Sequence, residues 1–304
     1  MIIVQDLHKS FGSFAALRGI SLTVRRGEIY GFIGQNGAGK TTTMNILTGL
    51  SHPTSGNCRV NGHDVRSIRH PSELQIGYLP ENPAFYAWMT AGETLTYLSG
   101  TGKADTGRLL EWVGLADAAK RKVGGFSRGM RQRLGIAAAL VHDPDLLILD
   151  EPSSALDPEG RSDVLRLIRE LKQRGKTVFF STHILSDVER VCDTVGIIAG
   201  GTMRLEKPLL ELQRQHIVPV FDLRLARPCP PDLAGNLKNH PLVLAIEENE
   251  DQLTVTVRDA AAGSVWLMEQ LATRNLPVVS LTQHTPTLED IFIREVNGHE
   301  TGRA

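Results

Sequence analysis

Two stretches of the sequence have the composition of phosphate-binding loops. The first is GQNGAGKTT at residues 34–42, which fits the pattern G-x-x-x-x-G-K-[S/T] with Gly34, Gly39, Lys40 and Thr41 at its fixed positions. Glycines let the backbone approach phosphate oxygens, the lysine supplies positive charge to the β- and γ-phosphates, and the threonine hydroxyl can ligate Mg²⁺. A predicted strand precedes the stretch and a predicted helix follows it, as the motif requires. The chain is therefore predicted to bind a nucleoside triphosphate.

The second stretch is FSRGMRQRLGIAAAL at residues 126–140. Its small polar opening, Ser127-Arg128-Gly129, leads directly into an apolar-rich predicted helix that ends before Asp143-Pro144. The N-terminus of a helix presents backbone N–H groups and a positive dipole end, both of which favour an anion. The chain is thus predicted to carry two separate phosphate-binding loops.

Two acids end the apolar run LLILDEP, at Asp150 and Glu151. A run without alternation is typical of a parallel strand covered on both faces, and open α/β sheets bind ligands at the carboxyl ends of such strands. Adjacent side chains of a strand point to opposite faces, so the two acids are predicted to differ in role. Asp150 would reach Mg²⁺, directly or through water, and Glu151 would accept a proton from the attacking water. Alone, the pair could equally cap a helix; the upstream phosphate-binding loop favours catalysis.

His183 follows the next predicted strand, TVFFST, at the same edge of the sheet. From there it can reach a γ-phosphate. A lone histidine is more often a helix cap or a solvated surface residue, so this interpretation depends on its place in the ordered series.

The elements that position these residues alternate between β and α patterns. Residues 1–35 contain the β-type runs IIVQDL, ISLTV and EIYGFIG, and a helix is predicted from about 39 to 50. NCRVNG and IGYLP are predicted short strands, and helical patterns follow from 90 to about 119. LLILD, TVFFST and TVGIIAG are predicted buried strands. This alternation predicts an α/β domain with a largely parallel sheet.

The pattern changes after about Leu212, where the order of elements becomes βαββαβ. That order is typical of a ferredoxin-like α+β sandwich. We predict two domains, with boundaries at 1–215 and 216–304. No group of His, Cys or acidic residues in the second resembles a site, so regulation or support of a dimer is favoured over catalysis.

Composition excludes several classes of function. The 304-residue chain is 41% hydrophobic and 22% charged with a net charge of −1, which gives no bulk attraction to nucleic acid or to an anionic membrane. Its three cysteines form no C-x-x-C pair, which suits a reducing compartment and argues against a disulfide framework or a zinc site. Neither a signal peptide nor an apolar membrane span is predicted. A cytosolic chain is expected, acting at a membrane only through a partner.

Taken together, these motifs resemble those of the ATP-binding cassette (ABC) family, the ATP-hydrolysing subunits of ABC transporters. Over about residues 1–215, GQNGAGKTT resembles the Walker A loop, LLILDEP the Walker B strand, FSRGM the signature loop, SALD (154–157) the D-loop and His183 the switch histidine. The resemblance implies a P-loop core with a helical subdomain, ATP and Mg²⁺ as ligands, and Glu151 as catalytic base. The implied metal ligands are Thr41, Glu81 and Asp150. The implied nucleotide contacts are Phe11, Gly34, Gln35, Asn36, Gly37, Ala38, Gly39, Lys40, Thr41, Thr42, Ser127, Arg128, Gly129, Met130 and Asp157.

Two of these implied contacts have simpler explanations. Phe11 falls where the family stacks an aromatic ring on adenine, but Phe14 lies close by and an ordinary apolar contact is nearly as consistent. Asp157 precedes a proline at the first position of a predicted helix, so N-capping alone would explain it.

The resemblance also accounts for the second loop. In the family two cassettes pair head to tail, and each signature loop covers the ATP bound by the other P-loop. With a single cassette in the chain, a two-fold symmetric homodimer is expected. Contacts to the γ-phosphate, which ADP lacks, would hold the dimer closed. Hydrolysis of ATP would then let the dimer open.

The chain departs from the family pattern at two places. Its signature reads Ser-Arg-Gly-Met rather than Ser-Gly-Gly-Gln, and Arg128 either adds positive charge near the opposed nucleotide or is simply solvated. Glu81 stands where the family usually has Gln, whose oxygen meets Mg²⁺ and the attacking water. We expect Glu81 to keep the ligand role and to make closure more dependent on Mg²⁺; a solvated loop residue is the alternative.

The resemblance favours an ATPase subunit that powers an exporter. A separate permease would contact residues 82–97, where NPAFYAWMTAGETL carries Phe85, Tyr86, Trp88 and Met89; a small local core is the alternative. The chain would then be peripheral on the inner face of the cell membrane. A non-transport ABC ATPase acting on nucleic acid or the ribosome is the competing function. It is disfavoured by the neutral charge, the single cassette and the absence of heptads.

Overall fold

The computed structural model describes residues 1–100, 104–215, 219–230, 233–249, 252–283 and 287–297. Two compact units are present, the first including Met1–Leu209 and the second spanning Leu210–Arg294. No helix in the described part of the chain is long and apolar enough to cross a membrane.

The first unit contains strands and helices in alternation. Its strands are β1 (Ile2–Phe11), β2 (Phe14–Val24), β3 (Ile29–Ile33), β4 (Ser55–Val60), β5 (His63–Asp64), β6 (Ile76–Leu79), β7 (Leu146–Asp150), β8 (Thr177–Thr182), β9 (Thr194–Ala199) and β10 (Thr202–Pro208). Its helices are α1 (Lys40–Leu47), α2 (Ala91–Ser99), α3 (Thr106–Trp112), α4 (Arg128–Ala139), α5 (Pro158–Gln173) and α6 (Leu185–Val191).

A six-stranded sheet in the order β10-β9-β3-β8-β7-β6 carries the predicted ligand edge. Neighbouring strands from β9 through β6 are parallel, and only β10 pairs antiparallel, with β9. Every residue of β3, β7 and β8 is buried, as expected of parallel strands covered on both faces. The predicted α/β fold with a largely parallel sheet is confirmed.

A second sheet, in the order β2-β1-β4-β5, is antiparallel. Its strand-like runs are visible in the sequence, but their separation from the parallel sheet was not predicted. One face of this sheet shares a core with α1 and the parallel sheet, through Leu22, Val60, Met44 and Phe179.

The predicted helical region from 90 to about 119 consists of short pieces. Thr90 and Glu93 form a capping box at the start of α2, Asp105 caps α3, and Ala116–Ala118 form a 3₁₀ turn. Helix α4 follows, beginning at the signature loop. These helices form the helical segment that the resemblance implies.

The second unit has the order of elements predicted for it. It contains α7 (Leu209–Gln215), β11 (Val220–Leu225), α8 (Leu233–Lys238), β12 (Val243–Asn249), β13 (Gln252–Val257), α9 (Ala260–Thr273), β14 (Val278–Gln283) and α10 (Leu288–Asn297). The sheet order is β12-β13-β11-β14 and every pairing is antiparallel. Alternate residues of β11 and β13 pack with Leu267 and Leu271 of α9. This is the ferredoxin-like βαββαβ arrangement.

Candidate functional site

The first phosphate-binding loop connects β3 to α1 and requires its glycines. Gly37 and Gly39 have φ angles of 80° and 110°, a region that strains any other residue. A side-chain carbon at Gly34 would lie 2.6 Å from the backbone oxygen of Ile198. Helix α1 has neither an acidic residue in its first turn nor a side-chain cap at its N-terminus. Its N-terminus is therefore suited to an anion.

This loop borders a cavity of about 440 Å³, the P-loop cavity. Most of the predicted nucleotide and catalytic residues lie on its wall. The lining residues are Phe14, Ala16, Gln35, Asn36, Gly37, Gly39, Lys40, Thr41, Thr42, Glu81, Glu151, Ser154 and His183. Gly34 and Ala38 belong to the loop but do not line the cavity.

Lys40 is buried, and its ammonium group has several partners. Its Nζ donates a hydrogen bond to the backbone oxygen of Gly34 at 2.7 Å and lies 3.2 Å from Oε1 of Glu151. Both side chains of this ion pair are more than nine-tenths buried. A buried, paired ammonium at the helix N-terminus concentrates positive charge where a phosphate would bind.

The two acids that follow β7 occupy different environments. Asp150 accepts a hydrogen bond from the hydroxyl of Ser181 at 2.5 Å, and the same hydroxyl accepts one from the backbone N–H of Glu151 at 3.0 Å. Burial raises the pKa of Asp150, the hydrogen bond from Ser181 opposes that rise, and the charges of Glu151 and Glu81 add to it. A bound cation would offset this cost of ionising Asp150.

Glu151 lies between two cationic or protonatable groups. Its Oε1 faces Lys40, and its Oε2 lies 2.9 Å from Nδ1 of His183. The backbone of Glu151 is left-handed, with φ at 49°. Non-glycine residues adopt this conformation rarely and at a cost, which is typical of functional sites. A carboxylate held here can accept a proton from a water in the cavity.

The oxygen ligands that a divalent cation would need are also at this edge. Thr41 and Glu81 line the cavity, and Asp150 is buried behind it. Hydroxyl and carboxylate oxygens suit Mg²⁺, which commonly takes one or two carboxylates with the remaining positions filled by phosphate and water. Within the described ranges, no three His, Cys, Asp or Glu side chains form a metal site by themselves. The donor set therefore fits a cation delivered with a nucleotide.

The second phosphate-binding loop borders a different cavity, of about 470 Å³. Ser127 caps α4 by accepting a hydrogen bond from the backbone N–H of Met130 at 3.2 Å, and no acidic residue lies in the first turn. Arg128, Gly129 and Asp157 share the wall of this cavity. The two cavities have no lining residue in common. One molecule thus has two separate cavities, each with one of the two predicted phosphate-binding loops on its wall.

Asp157 performs the simpler of its two predicted roles. Its carboxylate accepts a hydrogen bond from the backbone N–H of Gly160 at 3.0 Å and so caps α5, with Pro158 next to it. Contact of Asp157 with nucleotide stays a prediction.

Phe11 lies outside the wall of the P-loop cavity, which Phe14 lines instead. The two residues are paired across the β1–β2 hairpin, and both rings are more than half exposed. The ammonium of Lys9 lies 4.9 Å from the centre of the Phe11 ring. The adenine contact of Phe11 stays a prediction, and Phe14 joins it as a candidate.

Sequence reasoning also missed Ser154 and Ser181. Ser154 lines the P-loop cavity and Ser181 links both acids. The available signal for Ser181 is a hydroxyl in a fully buried strand, at the position that pairs directly with Asp150 in the β7–β8 ladder. A buried hydroxyl needs a hydrogen-bond partner, which the neighbouring strand end provides.

Comparisons with known protein families divide the chain in two. Residues 17–154 match the ABC transporter family. Residues 208–296 match the C-terminal domain of DrrA1-3-like ATP-binding proteins.

Individual relatives are similar over nearly the whole chain. The uncharacterized ABC transporter ATP-binding protein YxlF of Bacillus subtilis is 42% identical over 98% of this chain and 100% of its own length. The bacitracin transport ATP-binding protein BcrA of Bacillus licheniformis is 36% identical over 99% of each chain. A solved dimeric structure of a bacterial ABC transporter cassette superposes with a TM-score of 0.62 at 26% identity, over 69% of this chain and 99% of that one.

Proposed function

The chain belongs to the ABC transporter family of ATP-binding proteins, and from that premise we propose that it hydrolyses ATP to drive a separate exporter permease. The similarity to a bacitracin transport protein supports a cargo of the drug or antibiotic class. The observation that best supports this proposal is the position of Glu151. Its carboxylate contacts both Lys40 and His183 at the wall of the P-loop cavity.

The proposed reaction follows from the positions of these groups. Lys40 and the N-terminus of α1 would hold the β- and γ-phosphates, and Glu151 would accept a proton from the water that attacks the γ-phosphorus. The bond between the γ-phosphorus and the bridging oxygen breaks, which yields ADP and phosphate. His183 would contact the γ-phosphate and orient Glu151. Mg²⁺, held by Thr41, Glu81 and Asp150, would neutralise phosphate charge.

Two copies of the chain are proposed to enclose two ATP molecules. The P-loop cavity of one copy would face the second cavity of the other, where Ser127, Arg128 and Gly129 offer donors to a γ-phosphate. The dimeric cassette to which this chain is similar supports that arrangement. The separation of the two cavities within one molecule supports it independently.

A patch of exposed aromatic rings is proposed to bind the permease. Tyr86, Trp88 and Tyr97 are 55%, 66% and 60% exposed, and the ring of Tyr86 lies 5.6 Å from that of Trp88 and 6.0 Å from that of Tyr97. Clustered exposed aromatics are typical of interfaces. This aromatic patch lies within the predicted docking segment, in which Phe85 and Met89 are half-buried and Leu95 is fully buried.

Basic residues lie beside the aromatic patch. Residues 87–92 and 119–124 run antiparallel, joined by hydrogen bonds from Val123 to Met89 and from Gly124 to Ala87. This places the exposed residues 120–122, Lys-Arg-Lys, along the patch. A permease segment that combines apolar and acidic side chains would fit both features. The chain would thereby be held at the inner face of the cell membrane.

Replacing the proposed base tests the function. Glu151→Gln is expected to lower ATP hydrolysis by about 10²- to 10⁴-fold and, with ATP and Mg²⁺, to accumulate dimers by light scattering. Glu111→Gln, an exposed change on α3, serves as the control and is expected to behave like the wild type. Wild-type turnover in Glu151→Gln, or a monomer at saturating ATP, would contradict the proposal. Co-purification with membranes only when the permease is present separates transport from action on nucleic acid or ribosomes.

A further inference from the structure

A buried carboxylate that the proposed reaction does not use contacts the loop after β7, which begins at Glu151. Asp187, in the first turn of α6, is 0% exposed. Its Oδ2 accepts a hydrogen bond from the hydroxyl of Ser153 at 2.5 Å, and its Oδ1 accepts one from Nε of Arg161. The same guanidinium also donates to the hydroxyl of Ser186 at 2.6 Å. Asp187 therefore connects the loop after β7, helix α5 and helix α6.

Each segment joined by Asp187 lies close in sequence to a residue of the predicted site. Ser153 is two residues after Glu151, Asp187 is four residues after His183, and Arg161 is four residues after the helix cap Asp157. One carboxylate thus ties together the proposed base, the histidine and the D-loop.

The loop that Asp187 holds is conformationally strained. Glu151 and Ala155 both have left-handed backbones, with φ at 49° and 51°. Such residues cost about 1–3 kcal/mol each and persist only where surrounding contacts hold them. Ser153 lies midway between the two and is 1% exposed. Its hydrogen bond to Asp187, together with the Ser154 N–H bond to the oxygen of Glu151 at 3.1 Å, holds the loop between them.

The Asp187–Arg161 pair is a poor source of stability, because the carboxylate is fully buried while the guanidinium is partly exposed, and desolvating Asp187 offsets most of the attraction. We infer that Asp187, acting through Ser153 and Arg161, is a positioning residue. It keeps the carboxylate of Glu151 and the ring of His183 in the relative positions that hydrolysis requires. This inference rests on the proposed function, because it assumes that Glu151 is the base. It adds a role for three residues, Ser153, Arg161 and Asp187, that contact neither nucleotide loop.

Steady-state kinetics of the full-length chain test the inference. Ser153→Ala removes one hydroxyl and leaves the Asp187–Arg161 pair intact, so folding should be preserved. A small misplacement of a reacting group is costly, so kcat is expected to fall about tenfold, and by about 10- to 100-fold in Asp187→Asn. The KM for ATP should stay within about twofold, because the phosphate-binding loop is untouched. Ser153→Thr keeps the hydroxyl and should retain most of the activity.

The control is Asp145→Asn, which removes an exposed carboxylate paired with Arg26 at the other end of β7. It is expected to keep the wild-type kcat. Wild-type kcat in Ser153→Ala, or a raised KM with unchanged kcat, would overturn the inference while leaving the proposed function intact. If the wild-type chain turned over no ATP, the proposed function would fail first.

Discussion

The ammonium of Lys40 lies 3.2 Å from the carboxylate of Glu151, and both side chains are buried. The group proposed to bind phosphate and the group proposed to activate water are thus ion-paired to each other. A phosphate that binds to Lys40 competes with this carboxylate for the same positive charge. If Lys40 binds phosphate and Glu151 is the base, binding of ATP and release of the base would be coupled through this contact.

This coupling predicts that Glu151→Gln binds ATP more tightly than the wild type. The neutral amide competes more weakly for Lys40 and does not repel the γ-phosphate, so the Kd for ATP is expected to fall about threefold to tenfold. Fluorescent-nucleotide titration in the presence of a chelator measures the affinity without hydrolysis. Glu111→Gln should leave the Kd unchanged. An unchanged or higher Kd in Glu151→Gln would mean that the ion pair does not oppose binding.

We predict that Glu81 makes ATP affinity depend more strongly on Mg²⁺ than a glutamine at the same position would. Its carboxylate lines the P-loop cavity and contributes to the raised pKa of Asp150, so it adds negative charge where a triphosphate would bind. In Glu81→Gln the ratio of the Kd without Mg²⁺ to the Kd with Mg²⁺ should fall by about threefold to tenfold. Isothermal titration in chelator and in excess Mg²⁺ measures both constants. An unaltered ratio would place Glu81 outside the cation site and make it a loop residue.

The aromatic patch predicts a loss of permease binding with no loss of intrinsic hydrolysis. Trp88→Ala removes the most exposed ring of the patch, and truncating an aromatic anchor commonly lowers affinity by 2 kcal/mol or more, about 30-fold. Pull-down with the permease in detergent would measure the binding, and phosphate release by the isolated chain would measure hydrolysis.

The matched control for this test is Leu50→Ala, an exposed apolar residue outside the docking segment. Its binding to the permease should equal that of the wild type. Undiminished binding by Trp88→Ala would show that the aromatic patch does not contact the permease. Reversing the charge at Lys122 should weaken binding further, and more so at low salt.

The ligand edge of the fold was predictable from sequence because its signals are local. An apolar run followed by two acids marks a buried strand and its carboxyl end, and the phosphate-binding loop fixes its own strand and helix. The hydrogen bonds that hold these residues in place were not predictable. Ser181 and Asp187 lie about 30 residues from their partners Asp150 and Ser153, and only the β7–β8 pairing and the packing of α6 bring them together.

The aromatic residue that would contact adenine could not be identified from the sequence, for a different reason. Phe11 and Phe14 are three residues apart, both exposed and paired across one hairpin. Periodicity indicates that such rings point away from the core, but the direction in which each ring faces depends on the register of the hairpin and its irregularities. The β1–β2 pairing shifts register at three places between Val4 and Ser10, and simple alternation in the sequence does not show such irregularities.

Glu170 of α5 predicts a pH-dependent contribution to stability. Burial acts to raise the pKa of its carboxyl, but hydrogen bonds from Arg166 and Trp112 and the charge of Arg174 outweigh burial and lower that pKa. Because the pKa is lower in the folded state, the ionised carboxyl stabilises the protein fully above the unfolded-state pKa of about 4.3. This stabilisation is lost as the pH falls through the folded-state pKa. Glu170→Gln should therefore melt about 1–3 °C below the wild type at pH 7.

The difference between the two proteins should vanish in acid, because the wild-type carboxyl is then neutral as well. Calorimetric scans from pH 7.5 downward, continued below the unfolded-state pKa of about 4.3 until the two melting temperatures converge, follow this difference. Glu111→Gln, whose carboxylate is exposed on α3, is the control and should track the wild type at every pH. A melting difference that stays constant or widens on acidification would show that Glu170 stabilises the junction of α3 and α5 by packing, with no contribution from its charge.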